Sequence, residues 1–535
     1  MVTFANLRDA RPGSLTEAVG AWRSLATQMT GLERRVDQDV TRPLRSGRWA
    51  GDAADAAFTR LSAIGGQAGL AALQSRTITA VLDAAATRFG NIQQRLRAAL
   101  DAVALLELTV DGNGAVHPPP DGPPAPTPEQ QLVRQRDVRN AEIYTELIAK
   151  LVAEATAEDQ TVQHALGRLE PDRAGAMDPY EWKDAVNDAR EAAALLGVDE
   201  AAVPTGDPTR AAVWWRGLTD DQRQLYLVAY PERVGALDGL PAVDRDEANR
   251  LALHARLGEL EMASTWSPAG VRDTARLSTL LATLDAARFG PPDQQLLLLG
   301  LDNKGDGRAV VAVGDPDTAR HTAVMVPGVG TTLDGMRGQI DRAVELHRAA
   351  RSQGGPTAGG ISVIAWLGYD TPGLDGSAVS DRLSKEGAVR LDAFTDGLRA
   401  AHTAGPVHTT VVGHSYGSTV VGEAASHGDG LAVDDIVTAG SPGMHVNDAR
   451  DLHLDPRHVW AGAAADDPIS GSLGSAPGIH GREPSDESFG ANRYHVDTSG
   501  HSGYWTPGSA SLDNQARIVV GRYGDVGLDT GRAPQ

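Results

Sequence analysis

Apolar residues recur along this chain at two spacings, and the change from one to the other falls near residue 290. Over residues 14–110, Ala, Leu and Val return every third or fourth position among Arg, Gln and Asp, the period that turns one stripe of a helix toward a core. Ser14 or Thr16 is placed to cap a first helix that runs to about Arg45. The glycines of GRWAGDAADAAFTRL (47–61) interrupt it, and a second helix continues toward Leu106. Two long helices joined by a tight turn predict a hairpin. The stretch DGNGAVHPPPDGPPAPTPEQ (111–130) is crowded with Pro and Gly and predicts a semi-rigid linker with neither helix nor strand. Helical spacing returns over 129–166, 180–196, 208–230 and 244–262, with LDGLPAVDRDEANR (237–250) as a loop entering the last helix.

Beyond residue 292 the pattern becomes short apolar runs alternating with helical ones. QQLLLLGL (294–301) and RAVVAVG (308–314) flank the turn sequence DNKGDG and predict a hairpin of strands. HTAVMVPGVG (321–330), ISVIAWLGYD (361–370), HTTVVGHS (408–415), DDIVTAGSPG (434–443), RHVWAGAAADDP (457–468) and NRYHVDTSGH (492–501) read as further strands. Helical stretches over 333–352, 379–402, from 417 and near 510–523 separate or follow them. Apolar strands alternating with helices predict an α/β domain: a mostly parallel sheet of about eight strands, helices on both faces. The expected organisation is a helical hairpin (1–110), a linker (111–128), a helical region (129–290) and an α/β domain (291–535).

Composition narrows the partners. A net charge of −21 on 535 residues repels polyanions, so no nucleic-acid partner is expected. The chain has no cysteine, which removes disulfides, thiolate metal sites and a thiol nucleophile. No window reaches the ~18 apolar residues of a membrane span. The first residues lack a basic stretch followed by an apolar core, so the expected location is the cytoplasm.

The candidate chemistry centres on VVGHSYGS (411–418), which fits G-x-S-x-G with Ser415 as nucleophile. A serine projected from a sharp strand-to-helix turn crowds the positions two before and two after it, and Gly413 and Gly417 stand there. A serine hydroxyl needs a base oriented by a carboxylate, and in this sheet type both follow the serine, acid before histidine. Asp467, ahead of Pro468, is preferred over Asp466 as the acid. His501 is preferred as the base over His495, inside a predicted strand, over His414 beside the serine, and over His480 in a loop. The expected oxyanion donors are the backbone N–H of Tyr416 and that of Val329 or Gly330 in the glycine-rich loop 326–332. Trp366, Tyr369, Tyr504 and Trp505 are candidates to wall an apolar acyl pocket. Neither cofactor nor metal is expected. DNKGDG departs from a calcium loop at Lys304 and Val313, GVGTT lacks the P-loop lysine, and no zinc spacing occurs.

Strand hairpin, GHSYG, D-P turn and late histidine occur in the order of the α/β-hydrolase superfamily, which residues 292–525 resemble. The segment VWWRGLTDDQRQLYLVAYPERVGALDGLPAVDRDEANR (213–250) resembles one that precedes the catalytic domain in a poorly characterised family of α/β hydrolases common in high-GC Gram-positive bacteria. Trp49-Ala50-Gly51, at the expected helix–helix turn, is similar to the Trp-X-Gly family of hairpin proteins exported by type VII secretion. Their export signal, a Tyr and an acid four residues on, has its nearest match far beyond the linker, at Tyr180 and Asp184. These resemblances imply a serine hydrolase acting on a small-molecule or lipid-like acyl substrate. The alternative is a secretion-linked or partner-binding helical protein whose hydrolase domain is vestigial or a toxin-like cargo. A helical protein partner or self-association is expected through the N-terminal region, and the alternative to the cytoplasm is export by a type VII-like route.

Overall fold

The computed structural model describes residues 1–41, 43–44, 49–120, 127–169, 180–263, 267–287, 292–355, 359–373, 377–470 and 479–529. The chain divides into two compact units, residues 1–199 with 219–229, and 200–218 with 230–535. The expected helical region 129–290 is therefore shared between them. No helix among the described residues is long and apolar enough to cross a membrane.

The first unit is built on helices. Thr3 caps a short helix, Phe4–Asp9, by accepting the Asn6 N–H. The next helix, Pro12–Arg35, starts on Pro12 rather than at the expected cap Ser14 or Thr16; a proline loses nothing at a position whose N–H has no helical acceptor. A wider turn, Val36–Thr41, follows it. The long helix Asp52–Leu105 packs along Pro12–Arg35 and also along Pro128–Arg168. Phe4, Leu7, Ile92, Leu96, Val103, Ile148 and Leu151 form a core shared by the first short helix, the long helix and Pro128–Arg168. Trp49 is 43% exposed, with its ring 6.0 Å from Phe58; residues 45–48 of the expected turn lie outside the described residues.

Two expectations need correction here. The Pro/Gly-rich stretch does hold a strand. β1 (Thr109–Val110) pairs antiparallel with β2 (Val116–His117), closed by a turn in which Asp111 Oδ1 accepts the N–H of Asn113 and Ala115. The expected 208–230 helix is two helices, Pro208–Gly217 and Asp220–Ala229. Thr219 and Gln222 exchange side-chain and backbone bonds there, a capping box that starts a new helix instead of continuing the old one.

The second unit carries eight strands: β3 (Leu296–Asp302), β4 (Arg308–Val313), β5 (His321–Val326), β6 (Ile361–Leu367), β7 (His408–His414), β8 (Asp435–Ala439), β9 (Val459–Gly462) and β10 (Asn492–Arg493). Their order is β10-β9-β8-β7-β5-β6-β4-β3. The pairs from β10 to β6 are parallel, and β4 runs antiparallel to both its neighbours. One apolar face packs with Leu277, Ile340, Leu346, Leu512 and Ile518, the other with Leu391, Phe394, Val420 and Val421. This is the expected sheet with helices on both faces. Because β7 lies beside β5 and not beside β6, the winding reverses between β5 and β7. The crevice at the strand ends of such a reversal is where ligands bind in open α/β sheets.

The segment 237–250 has a structural part. It feeds the helix Ala242–Ala263, whose side chains fasten the edge strand β3. Arg250 Nη2 donates to Leu296 O at 2.9 Å, Asn249 Nδ2 to Leu298 O at 2.9 Å, and Asp246 Oδ1 accepts the Leu298 N–H at 2.7 Å. Asp317 Oδ2 accepts the Ala242 N–H at 2.6 Å at the start of the same helix.

Candidate active site

β7 is a run of β-branched residues buried on both faces, and it ends where the helix Tyr416–Ala425 begins. Ser415, at the joint, has φ 54° and ψ −131°, a conformation that costs an L-residue about 1–3 kcal/mol. Its N–H donates to Ala439 O at 3.0 Å, and its own carbonyl accepts the Ser418 hydroxyl at 2.6 Å, so the strained turn is held from both sides. Both flanking glycines are needed sterically. A Cβ on Gly413 would lie 2.6 Å from Ser418 Cα, and one on Gly417 would lie 2.2 Å from Val326 O. Gly328, in the loop after β5, meets the serine directly, since a Cβ there would be 2.6 Å from Ser415 Cβ and 3.0 Å from its Oγ. Nothing in the sequence pattern singled out Gly328 from the other glycines of its loop.

β9 leads into the turn holding Asp467, whose side chain is fully buried. Its carboxylate accepts from His501 Nδ1 at 2.9 Å to each oxygen, from Ile469 N–H at 2.9 Å and from the Tyr504 hydroxyl at 2.6 Å. Burial alone would raise this carboxyl; the hydrogen bonds from Tyr504 and His501 outweigh it and hold it below the ordinary range. Asp466 faces elsewhere and accepts the Gly500 N–H at 2.8 Å, which anchors the loop carrying His501. Gly440, with φ 60°, sits against the pair: a Cβ there would be 2.6 Å from Asp467 Oδ2 and 3.1 Å from His501 Nδ1.

The other histidines are occupied differently. His414 Nε2 donates to His501 O at 2.8 Å, and burial pushes its imidazole down to about 3, so it is a neutral brace behind His501. His480 Nδ1 lies 3.1 Å from His445 Nε2, whose Nδ1 meets Glu423 at 2.7 Å; burial, then His445, lower His480 to about 4. His495 pairs with Asp529 at 3.0 Å.

Of the expected oxyanion donors, Tyr416 is the first residue of its helix, where an N–H has no intrahelical acceptor. Of the two loop candidates, Gly330 is committed elsewhere, since its N–H donates to Pro372 O at 2.9 Å. The four aromatic residues expected on a pocket wall are all buried. Trp366 stacks on Tyr369, whose hydroxyl donates to Pro327 O at 2.7 Å. Trp505 stands edge-on to His414, with its ring centre 5.1 Å away. Tyr504 reaches Asp467. Their surfaces thus meet protein in place of an open pocket. Among the described residues, no three His, Asp or Glu side chains converge as metal ligands.

Sheet order, winding reversal and a strained serine at the strand-to-helix joint define the class: an α/β protein with a strained serine turn beside the switch point of its sheet. The family model described as alpha/beta hydrolase matches residues 302–474, which include Ser415 and Asp467 but stop short of His501. An uncharacterized protein of Mycobacterium tuberculosis, Rv2079, is 31% identical over 484 residues, covering 76% of this chain and 72% of its own. The uncharacterized protein Mb0988c of Mycobacterium bovis is 32% identical over 219 residues, 38% of this chain and 80% of its own. The chain belongs to the alpha/beta hydrolase family.

Proposed function

We propose that this chain is a serine hydrolase that cleaves an ester or a related acyl compound through a covalent acyl-enzyme. The observation that carries the reading is the two-oxygen contact of buried Asp467 with His501 Nδ1, on a loop braced by His414, beside a nucleophile turn under strain. With Nδ1 committed to the carboxylate, Nε2 is the basic nitrogen of His501. It takes the hydroxyl proton of Ser415 as Oγ bonds to the substrate carbonyl carbon. The carbonyl oxygen becomes an oxyanion facing the N–H groups of Tyr416 and Val329. The proton then passes from Nε2 to the leaving oxygen as its bond to carbon breaks. Water repeats the sequence in reverse and frees the acid and Ser415. Asp467 keeps its negative charge throughout and stabilises the imidazolium.

A panel of chromogenic esters of increasing acyl length tests this reading. Wild type is expected to hydrolyse at least one of them, and Ser415→Ala and His501→Ala are each expected to lose about a thousandfold or more in kcat. Turnover that survives in both variants would remove these residues from the reaction.

A further inference from the structure

Tyr504, a candidate pocket aromatic by sequence, has a different place in the fold. It lies in the turn Gly503–Trp505, three residues after His501, with its ring fully buried. Its hydroxyl donates to Asp467 Oδ2 at 2.6 Å and accepts the Ala464 N–H at 3.0 Å. The N–H from Ala464 leaves the phenol a single proton to give, and Asp467 is its acceptor. Across the carboxylate, Ile469 N–H binds Oδ1 at 2.9 Å, so the two oxygens are pinned by different donors and the plane of the group is fixed. The space that allows this is Gly440, where a Cβ would stand 2.6 Å from Asp467 Oδ2 and 3.0 Å from the Tyr504 oxygen.

We infer that Tyr504 is a positioning residue for the Asp467–His501 pair, extending it to a hydrogen-bonded chain Tyr504–Asp467–His501. The inference rests on the serine-hydrolase reading for its catalytic consequence, but not for its geometry. The phenol acts in two ways. It orients both carboxylate oxygens on Nδ1 of His501, which fixes the ring and leaves Nε2 as the nitrogen not held by the carboxylate. It also draws off part of the carboxylate charge, which moderates how strongly Asp467 favours the imidazolium. An acid chain of this kind sets the proton affinity of the base as well as its direction. Other charged or titratable groups near the pair are His414, neutral through burial, Asp466 on the Gly500 N–H, and Arg342, whose guanidinium lies 5.0 Å over the Trp505 ring.

Tyr504→Phe removes one oxygen and keeps the ring packing. The first measurement is the NMR titration of His501, followed in the full chain with labelled histidine and assigned by His501→Gln. Losing the phenol returns charge to Asp467, so the His501 midpoint is expected to rise by about half a unit or more. An unchanged midpoint overturns the proposal, whether or not the protein hydrolyses anything. The second measurement is kinetic: kcat is expected to fall about ten- to a hundredfold with KM within about twofold, and the acid limb of the rate profile to move to higher pH. A lower melting temperature with an unmoved acid limb assigns Tyr504 a merely structural part and also overturns it. Wild type that fails to react at Ser415 while the His501 midpoint still moves overturns the hydrolase reading and leaves the positioning role standing.

Discussion

Replacing Gly328 with alanine places a methyl carbon 2.6 Å from Ser415 Cβ, 3.0 Å from Ser415 Oγ and 3.0 Å from the His414 carbonyl oxygen. Carbon atoms rest at ~3.5–4.0 Å, so the overlap with the serine is about 1 Å. Neither side yields freely. Ser415 is tied through its N–H to Ala439 and through its carbonyl to Ser418. The loop is tied by the Tyr369 hydroxyl on Pro327 O and by Gly330 N–H on Pro372 O. Relief therefore moves the serine or the Val329 N–H by a large part of that ångström. A displacement of this size at a reacting group costs about a hundredfold in rate, or about 2.7 kcal/mol of transition-state stabilisation. The accompanying loss of stability, the cost of overpacking, is about 1–3 kcal/mol. The assay is kcat/KM on the best ester found, with the melting temperature measured on the same preparation. Gly330→Ala is the control, since its Cβ meets nothing within 4 Å and its φ of 73° strains the backbone without crowding the serine. Full kcat/KM in Gly328→Ala would refute the argument that loop and nucleophile are in forced contact.

Gly413→Ala, whose Cβ would sit 2.6 Å from Ser418 Cα, is expected to melt several degrees lower, since overpacking of about 1–3 kcal/mol exceeds the gain from a stiffer unfolded chain; an unchanged melting temperature refutes it. At the other end of β7, burial opposes a charged His408, but its 2.7 Å bond to Asp435 outweighs burial and raises it. A raised imidazole adds stability that is full below its unfolded value of about 6.5 and is lost as pH climbs through the raised one. The melting deficit of His408→Gln is therefore expected to be greatest near about pH 5–6 and to shrink on the alkaline side, and a deficit constant with pH contradicts this. Asp317 has the opposite sign: burial pushes its carboxyl up to about 7, so ionising it costs stability as pH rises. Asp317→Asn keeps an acceptor for the Ala242 N–H, and its melting advantage over wild type is expected to grow between about pH 5 and pH 8; equal curves at both ends would contradict it.

Much of the sheet was legible because each strand announces itself by local pattern. The run at 296–302 is nearly all leucine, that at 308–313 is rich in valine between two glycines, and that at 408–414 holds four β-branched residues in a row. The turn at Ser415 was legible through its G-x-S-x-G spacing; Gly413 answers to Ser418 five residues on, whereas the crowding at Gly417 comes from Val326 on another strand. What depends on distant approach was not. Gly328 and Gly440 matter because of Ser415 and Asp467, which lie 87 and 27 residues away in sequence, and a glycine does not record its neighbour. Tyr504 looked like any aromatic beside a site, and its hydroxyl acquires meaning only once Asp467 lies 2.6 Å away. The Pro-rich segment misled because a two-residue ribbon needs only a turn and a few bonds, which propensity averaged over the stretch hides. The break at Thr219 was written locally as Thr-x-x-Gln, but the apolar spacing on either side masked it.

The central claim, that Ser415 is a nucleophile activated by His501, is tested most directly by a fluorophosphonate, which forms a stable bond only with an activated serine. Intact-mass measurement of the full chain is expected to show one adduct, mapped by peptide sequencing to Ser415, lost in Ser415→Ala and strongly slowed in His501→Ala. An unlabelled wild type, or labelling undiminished in Ser415→Ala, would contradict it.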